Sequence, residues 1–174
     1  ITSDDGLIMF DINAEQVTRV YTKADGFISN RFNTFSTSAM MMTRDNQIWV
    51  GCIGGMNAFY PEQITENPYK PPVYLTSLKQ AGEPMRLGRA VEYGQEIQLG
   101  WRDNFFEFEY AALNFTRPEK NHYKYMLEGS DDDWYDAGTR RFGRYSGLPG
   151  GEYTLRVIGS NNDGVWNEEG VSVK

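Results

Sequence analysis

The sequence predicts an all-β protein: an immunoglobulin-like β-sandwich preceded by the last strands of a β-propeller, present as partial blades. Three observations predict it. Phe106, Phe108 and Tyr110 alternate with Glu107 and Glu109, the period-two pattern of a strand with one buried face. Strong turn signals such as Asn161-Asn162-Asp163-Gly164 separate the apolar runs, because Asn, Asp and Gly tolerate positive φ. Gly6-Leu7-Ile8-Met9-Phe10 returns as Gly55-Met56-Asn57-Ala58-Phe59, 49 residues further on, which is the spacing of strand-built propeller blades.

Residues 1–62 read as hairpin material. Asp4-Asp5-Gly6 turns the chain into Leu7 to Phe10, and Val17 to Tyr21 alternates as a strand. Asp25-Gly26 is a further turn, and Asp45-Asn46-Gln47 leads into Ile48-Trp49-Val50-Gly51 and then Gly54-Gly55. One blade cannot bury both of its faces, so such material must pack on something else. Residues 63–72 hold Pro68, Pro71 and Pro72 among polar residues. Proline removes backbone donors and favours extended chain, so this stretch is either a stiff connector or a strap laid along the next domain.

Residues 73–174 carry the sandwich. Val73 to Leu78 alternates, Ala81-Gly82-Glu83-Pro84 turns, and Met85 to Leu87 reads as a short strand. Glu96 to Trp101 places Ile97, Leu99 and Trp101 on one face, before a turn at Arg102-Asp103-Asn104 and the Phe106–Tyr110 strand. Tyr123, Tyr125 and Leu127 alternate with Lys124, Met126 and Glu128. A polar loop from Gly129 to Asp133, a strand from Arg141 to Tyr145, and a turn at Leu148-Pro149-Gly150-Gly151 follow. Tyr153, Leu155 and Val157 form the next alternation, and Val171 to Lys174 the return strand. About seven short strands with regular turns make a two-sheet sandwich. Helical periodicity is missing throughout; Glu62 to Glu66 is at most one turn.

Composition narrows the function. The chain has 174 residues with 40% hydrophobic and 14% aromatic content, a globular and not a disordered composition. A net charge of −7 argues against nucleic acid, whose phosphates need a basic face. The apolar runs fall short of the ~18 residues that a membrane span needs. No signal peptide is recognisable, and a chain opening on Ile1 reads as a piece of a longer protein. Cys52 and His122 are the only residues of their kinds, too few for a disulfide or a structural zinc site. No cofactor, metal or catalytic residue is expected.

The stretches that carry identity are Phe105 to Phe115, Tyr123 to Gly129, Asp133-Trp134, Tyr145, Leu148 to Tyr153 and Asn161 to Trp166. As a set they resemble the Y_Y_Y domain, named for its recurrent tyrosines. Upstream, Gln47-Ile48-Trp49-Val50-Gly51 with Gly54-Gly55 resembles the two-component regulator propeller repeat, with Cys52 where that repeat usually has Thr. Asp25 to Asn30 resembles the stretch that follows a blade. The signature positions are Trp49, Gly51, Gly55, Tyr123, Tyr125, Trp134, Tyr145, Tyr153, Gly164 and Trp166.

The resemblance implies the periplasmic part of a bacterial sensor histidine kinase, often a hybrid two-component regulator. A propeller there senses a ligand, frequently an oligosaccharide, and a dimeric sandwich relays the signal to a membrane helix. The implied partners are a second copy of the chain and an oligosaccharide held by propeller blades outside this sequence. Kinase and membrane helix are implied beyond Lys174. The alternatives are an accessory glycan-binding sandwich of a carbohydrate-active enzyme and a cell-surface adhesive module.

Sharper readings of single residues meet plainer ones. Trp134 and the tyrosines would make a sugar platform, yet their alternation matches strand burial, with hydroxyls bonded to backbone. Trp166 reads as a cap on the sandwich end. Asp131-Asp132-Asp133 with Asp136 offers carboxylates to calcium, but lacks the glycine and closing glutamate of a calcium loop. Glu107 and Glu109 lie side by side on one strand face, not across a sugar cleft. His122 has no nucleophile indicated beside it, and Cys52 reads as a small buried hydrophobe. Asn114-Phe115-Thr116 fits a glycosylation sequon that a bacterial protein normally leaves bare.

Overall fold

The computed structural model describes residues 1–32, 40–85, 96–99 and 105–174. It divides into two compact units, Ile1–Thr65 and Glu66–Lys174. Both are built of antiparallel strands, with single 3₁₀ turns at Lys23–Asp25, Pro61–Gln63 and Pro118–Lys120.

The first unit holds two small sheets. β1 (Leu7–Asp11) pairs with β2 (Gln16–Tyr21), and β3 (Met40–Met42) with β4 (Ile48–Cys52) and β5 (Gly55–Phe59). The 49-residue echo holds in the backbone. Gly6 and Gly55 both take positive φ, 145° and 156°. The isolated bridge Thr2–Leu7 maps by the same offset onto the Gly51–Met56 pair. Glycine is required at Gly6, where an added Cβ would lie 2.6 Å from the Tyr21 carbonyl oxygen. The unit's core is small: Leu7, Tyr21, Phe32 and Val50 are buried, with Phe27, Cys52, Phe59 and Ile64 packed against them.

The second unit is the sandwich, two four-stranded sheets. One runs β10 (Tyr135–Gly138), β9 (Tyr123–Glu128), β12 (Thr154–Ser160), β13 (Trp166–Val173). The other runs β11 (Phe142–Ser146), β8 (Phe105–Ala112), β6 (Val73–Gln80), β7 (Glu83–Pro84). The alternation read from sequence is the burial seen: Phe106, Phe108, Tyr110 and Ala112 point inward from β8, and Tyr123, Tyr125 and Leu127 from β9. Val73, Leu75, Leu78, Leu155, Val157, Val171 and Val173 complete the core.

Four expectations change. Glu83-Pro84 is not turn but strand, pairing back onto Lys79 and Gln80; the turn is Ala81-Gly82, both at positive φ. Residues 96–99 are not strand: Ile97 gives a single backbone hydrogen bond to the Lys174 carbonyl at 2.7 Å, and Leu99 is exposed. Trp101, the turn at 102–104, and residues 86 and 87 of the short strand lie outside the described residues, and Met85 is not in a strand. β10 was not expected. Its sequence lacks alternation, and it forms because β9 has a free hydrogen-bonding edge, with Tyr135 opposite Tyr125. Trp166 opens β13 opposite Ser160, the last residue of β12, with the Lys124 ammonium 5.3 Å from its ring centroid.

Candidate functional site

No described residues assemble a reaction centre. No group of three or more His, Cys, Asp or Glu among them is placed to hold a metal ion. His122 is exposed. Cys52 is half-buried, its thiol 3.5 Å from the Gly55 carbonyl oxygen and accepting from Asn57 Nδ2 at 3.4 Å. The aspartates diverge. Asp131 accepts from the Leu127 amide at 2.8 Å and from the Tyr145 hydroxyl; Asp133 accepts from the Trp134 amide and Asp136 from the Gly138 amide. Each of these three carboxylates accepts from its own stretch of backbone, so they do not share a common centre. Glu107 and Glu109 lie on the outward face of β8, and Lys79 Nζ bridges Glu109 at 3.2 Å.

The tyrosines form the heart of the sandwich. The Phe108 ring is fully buried and lies 5.1 Å from Tyr125, edge to face, and 6.0 Å from Tyr145, stacked. Tyr110 lies 5.1 Å from Tyr123, and Tyr125 lies 4.9 Å from Tyr135. Gly143 makes room for this cluster, since an added Cβ there would sit 2.4 Å from the Phe108 ring. The hydroxyls are anchored. Tyr123 accepts from the Ala112 amide at 3.2 Å, Tyr110 donates to the Phe142 carbonyl at 3.3 Å, and Tyr153 donates to the Pro149 carbonyl at 3.0 Å. Tyr145 departs from the expected backbone partner and donates to the Asp131 carboxylate. Burial pushes the Tyr110, Tyr125 and Tyr145 hydroxyls above the usual phenol range, and the Asp131 carboxylate adds to the rise at Tyr145. Buried in this way, they are packing groups and not a ligand platform.

Other signature residues sit nearer the surface. Trp134 is half-buried with the Arg156 guanidinium 5.4 Å from its ring centroid, and Arg156 also pairs with Glu128 at 3.1 Å. Trp49 is exposed as the second residue of β4, its indole N–H donating to Gln47 Oε1 at 2.9 Å. Gly164 closes the Asn161 turn with its amide donating to the Asn161 carbonyl at 3.2 Å.

One cluster escaped the sequence reading. Asn161 is fully buried; its side chain donates to the carbonyls of Asn67 (2.6 Å) and Tyr69 (2.8 Å), and accepts from the amides of Asp163 (2.8 Å) and Val165 (3.0 Å). Asn67 donates its amide N–H to Asp163 Oδ2 at 2.7 Å, and its side chain reaches Asn114 and Asn162. Asn114, the sequon residue, is 3% exposed and bonds Asn121, Asn162 and the Thr116 carbonyl. Asn167 donates to the Pro71 carbonyl at 2.9 Å, and Pro71 is fully buried. The proline-rich segment from Glu66 onward is therefore clamped to the sandwich. The local signal was present in the Asn-rich turn, but an amide looks the same in a turn and in a long-range clamp.

This clamp marks the end of the sandwich where β6 begins. At the other end of β6, about 25 Å away at ~3.3 Å per residue, Gln80 pairs with Phe106, and Leu155 pairs with both Leu127 and Val173. Lys174 follows at that far end. The start of β6 and Lys174 therefore stand at opposite ends of the sandwich.

Comparisons with known proteins follow the same outline. Residues 114–174 match the Y_Y_Y domain. That match begins after β6 and β8, so it covers only part of the sandwich. Over 176 aligned residues the chain is 30% identical to Histidine kinase P4 of Formosa agariphila, covering 97% of this chain and 12% of that protein. The chain therefore spans about an eighth of the curated relative it matches. The fold is shared with the crystal structure of the extracellular domain of the hybrid two component system BT3049 from B. thetaiotaomicron, at TM-score 0.78 and 21% identity, over 99% of this chain and 23% of that one. It is also similar to the extracellular domain of BT4673 from the same organism, at TM-score 0.52, 21% identity and the same coverage. No described helix is long and apolar enough to cross a membrane.

Proposed function

We propose that this chain, whose residues 114–174 match the Y_Y_Y domain, is an extracytoplasmic relay segment of a hybrid-type two-component sensor histidine kinase in the periplasm. In this reading a propeller binds the ligand, an oligosaccharide, on blades outside this sequence. The sandwich passes the change to a membrane helix as one half of a homodimer, and the segment itself performs no chemistry. One observation carries the reading. The incoming strand is clamped by buried asparagines at one end of the sandwich, and Lys174 stands at the opposite end. A part traversed end to end, with its incoming segment fixed, transmits displacement better than a loose linker. The similarity to Histidine kinase P4 supports the same class of protein.

A ligand shifts such a relay only by its differential affinity for two dimer arrangements. The contact between sandwiches is therefore expected to be weak alone and evident when two copies are held together. Analytical ultracentrifugation of the chain, free and fused to a dimeric coiled coil, tests this together with cross-linking. Weak association that strengthens on tethering is the expected result. Tethered sandwiches that cross-link nowhere would end the relay reading.

A further inference from the structure

The two sheets of the sandwich present different outer faces. On the β10-β9-β12-β13 sheet the aromatic residues are already covered by cations from their own chain: Lys124 over Trp166 and Arg156 over Trp134, with Arg156 bridged to Glu128. On the β11-β8-β6-β7 sheet they are bare. Phe142 is 58% exposed and Tyr74 39%, and the aliphatic Leu113, just past the end of β8, is 39% exposed. Register makes these neighbours: Phe142 lies opposite Glu109, and Tyr74 opposite Ala111, the next outward position on β8. Leu113 is the next beyond it, its amide bonded to the Pro72 carbonyl. The stripe therefore crosses three strands diagonally.

Beside Phe142 is a hollow of about 120 Å³, bounded by Ser77, Lys79, Glu107, Glu109 and Gly143. Both charge signs surround it. Lys79 pairs with Glu109, while Glu107 and Arg144 stand opposite each other in the β8–β11 register without an ion pair between them. A protruding ring next to a hollow, with both charge signs close by, is self-complementary under a two-fold axis. We propose that this face is where two copies of the chain associate, each Phe142 seated in the partner's hollow and each Arg144 meeting the partner's Glu107. A second copy suits the face better than a foreign ligand, since knob, hollow and both charges are supplied by one surface. The proposal deepens the relay reading and rests on it for the presence of two copies.

The test uses the coiled-coil fusion in a Cys52→Ser background. Ser77→Cys places a thiol in the wall of the hollow with Phe142 intact, and Glu168→Cys places one on exposed β13 of the other sheet. A short bismaleimide is expected to give several-fold more covalent dimer with Ser77→Cys than with Glu168→Cys. Phe142→Glu is expected to weaken self-association of the unfused chain roughly tenfold, the size of a hot-spot loss, with its thermal transition unchanged. Equal or greater cross-linking through Glu168→Cys, or undiminished association of Phe142→Glu, overturns this face while leaving the relay reading standing. Tethered copies that cross-link at neither position and show no association in ultracentrifugation overturn both.

Discussion

The two units are made from the same kind of strand and differ in what those strands can bury. The sandwich closes two four-stranded sheets on one another and buries fifteen residues in one cluster, including Phe108, Tyr123 and Val157 at 0% exposure. Among its described residues the first unit buries four in its core cluster, and leaves Met9, Met40, Met41, Met42, Ile53 and Met56 at 45–66% exposure. A sheet hides one face only against another layer. The sandwich contains its second layer, whereas the described residues of the first unit form only small sheets of two and three strands. Alternation in sequence therefore tells that a face is apolar, not that this chain covers it.

A matched pair of substitutions puts most strain on that comparison. Phe108→Ala empties the centre of a ring cluster with neighbours on every side, and is expected to cost about 3–5 kcal/mol. Phe32→Ala in the first unit is expected to cost less, because a thin shell of side chains can settle into the gap. Hydrogen exchange read separately over β8 and over β4 measures both. Equal losses would show that the first unit is packed as fully as the sandwich.

A smaller effect is expected at the asparagine clamp. Asn161→Ala strands two backbone amides and two carbonyls, though water can reach part of the site once the side chain is gone. The expected loss is about 2–3 kcal/mol, one or two groups at ~1–3 kcal/mol each. The amides of Asp163 and Val165 should lose protection first. If they exchange as slowly as before, the clamp adds nothing to what strand pairing already supplies.

The smallest effect concerns the tyrosine hydroxyls. Tyr145→Phe removes the bond to Asp131 and is expected to cost about 1 kcal/mol near neutral pH. Alkali sharpens the contrast. Tyr110, Tyr125 and Tyr145 have folded pKa values raised by burial, while in the unfolded chain they ionise near ~10. Folded and unfolded states are both protonated below that pH, so stability is complete there. It is lost above it, as the unfolded chain releases protons that the sandwich retains. Absorbance of tyrosinate and unfolding, followed together, should show these three ionising only as the sandwich opens. Free titration in the folded state would contradict their burial.

Much of the fold was legible in the sequence, because strand burial has a local cause. Side chains alternate along a strand whatever it pairs with, so Phe106-Glu107-Phe108-Glu109-Tyr110 declares its inner face unaided. The 49-residue echo was legible for the same reason, since a glycine with positive φ before a strand is a local demand met twice, at Gly6 and Gly55. The signature tyrosines Tyr123, Tyr125, Tyr145 and Tyr153 were marked by the resemblance to the Y_Y_Y domain, and alternation placed Tyr123, Tyr125 and Tyr153 on strands. β10 was not legible, because its strand character comes from the open edge of β9 and not from its own residues.

What the sequence by itself determined is the class: an all-β chain whose aromatic residues alternate, whose turns are set by Asn, Asp and Gly, and whose motifs resemble those of a sensor family. Tertiary structure alone decided how the pieces are joined. Asn161 meets the carbonyl of Asn67 across 94 positions of sequence, and Phe142 comes to stand beside a hollow made by β6, β8 and its own neighbour Gly143. Periodicity is a property of neighbouring residues and can be read along the chain. A clamp or a surface is a property of distant residues brought together, and no local pattern encodes which of them will meet.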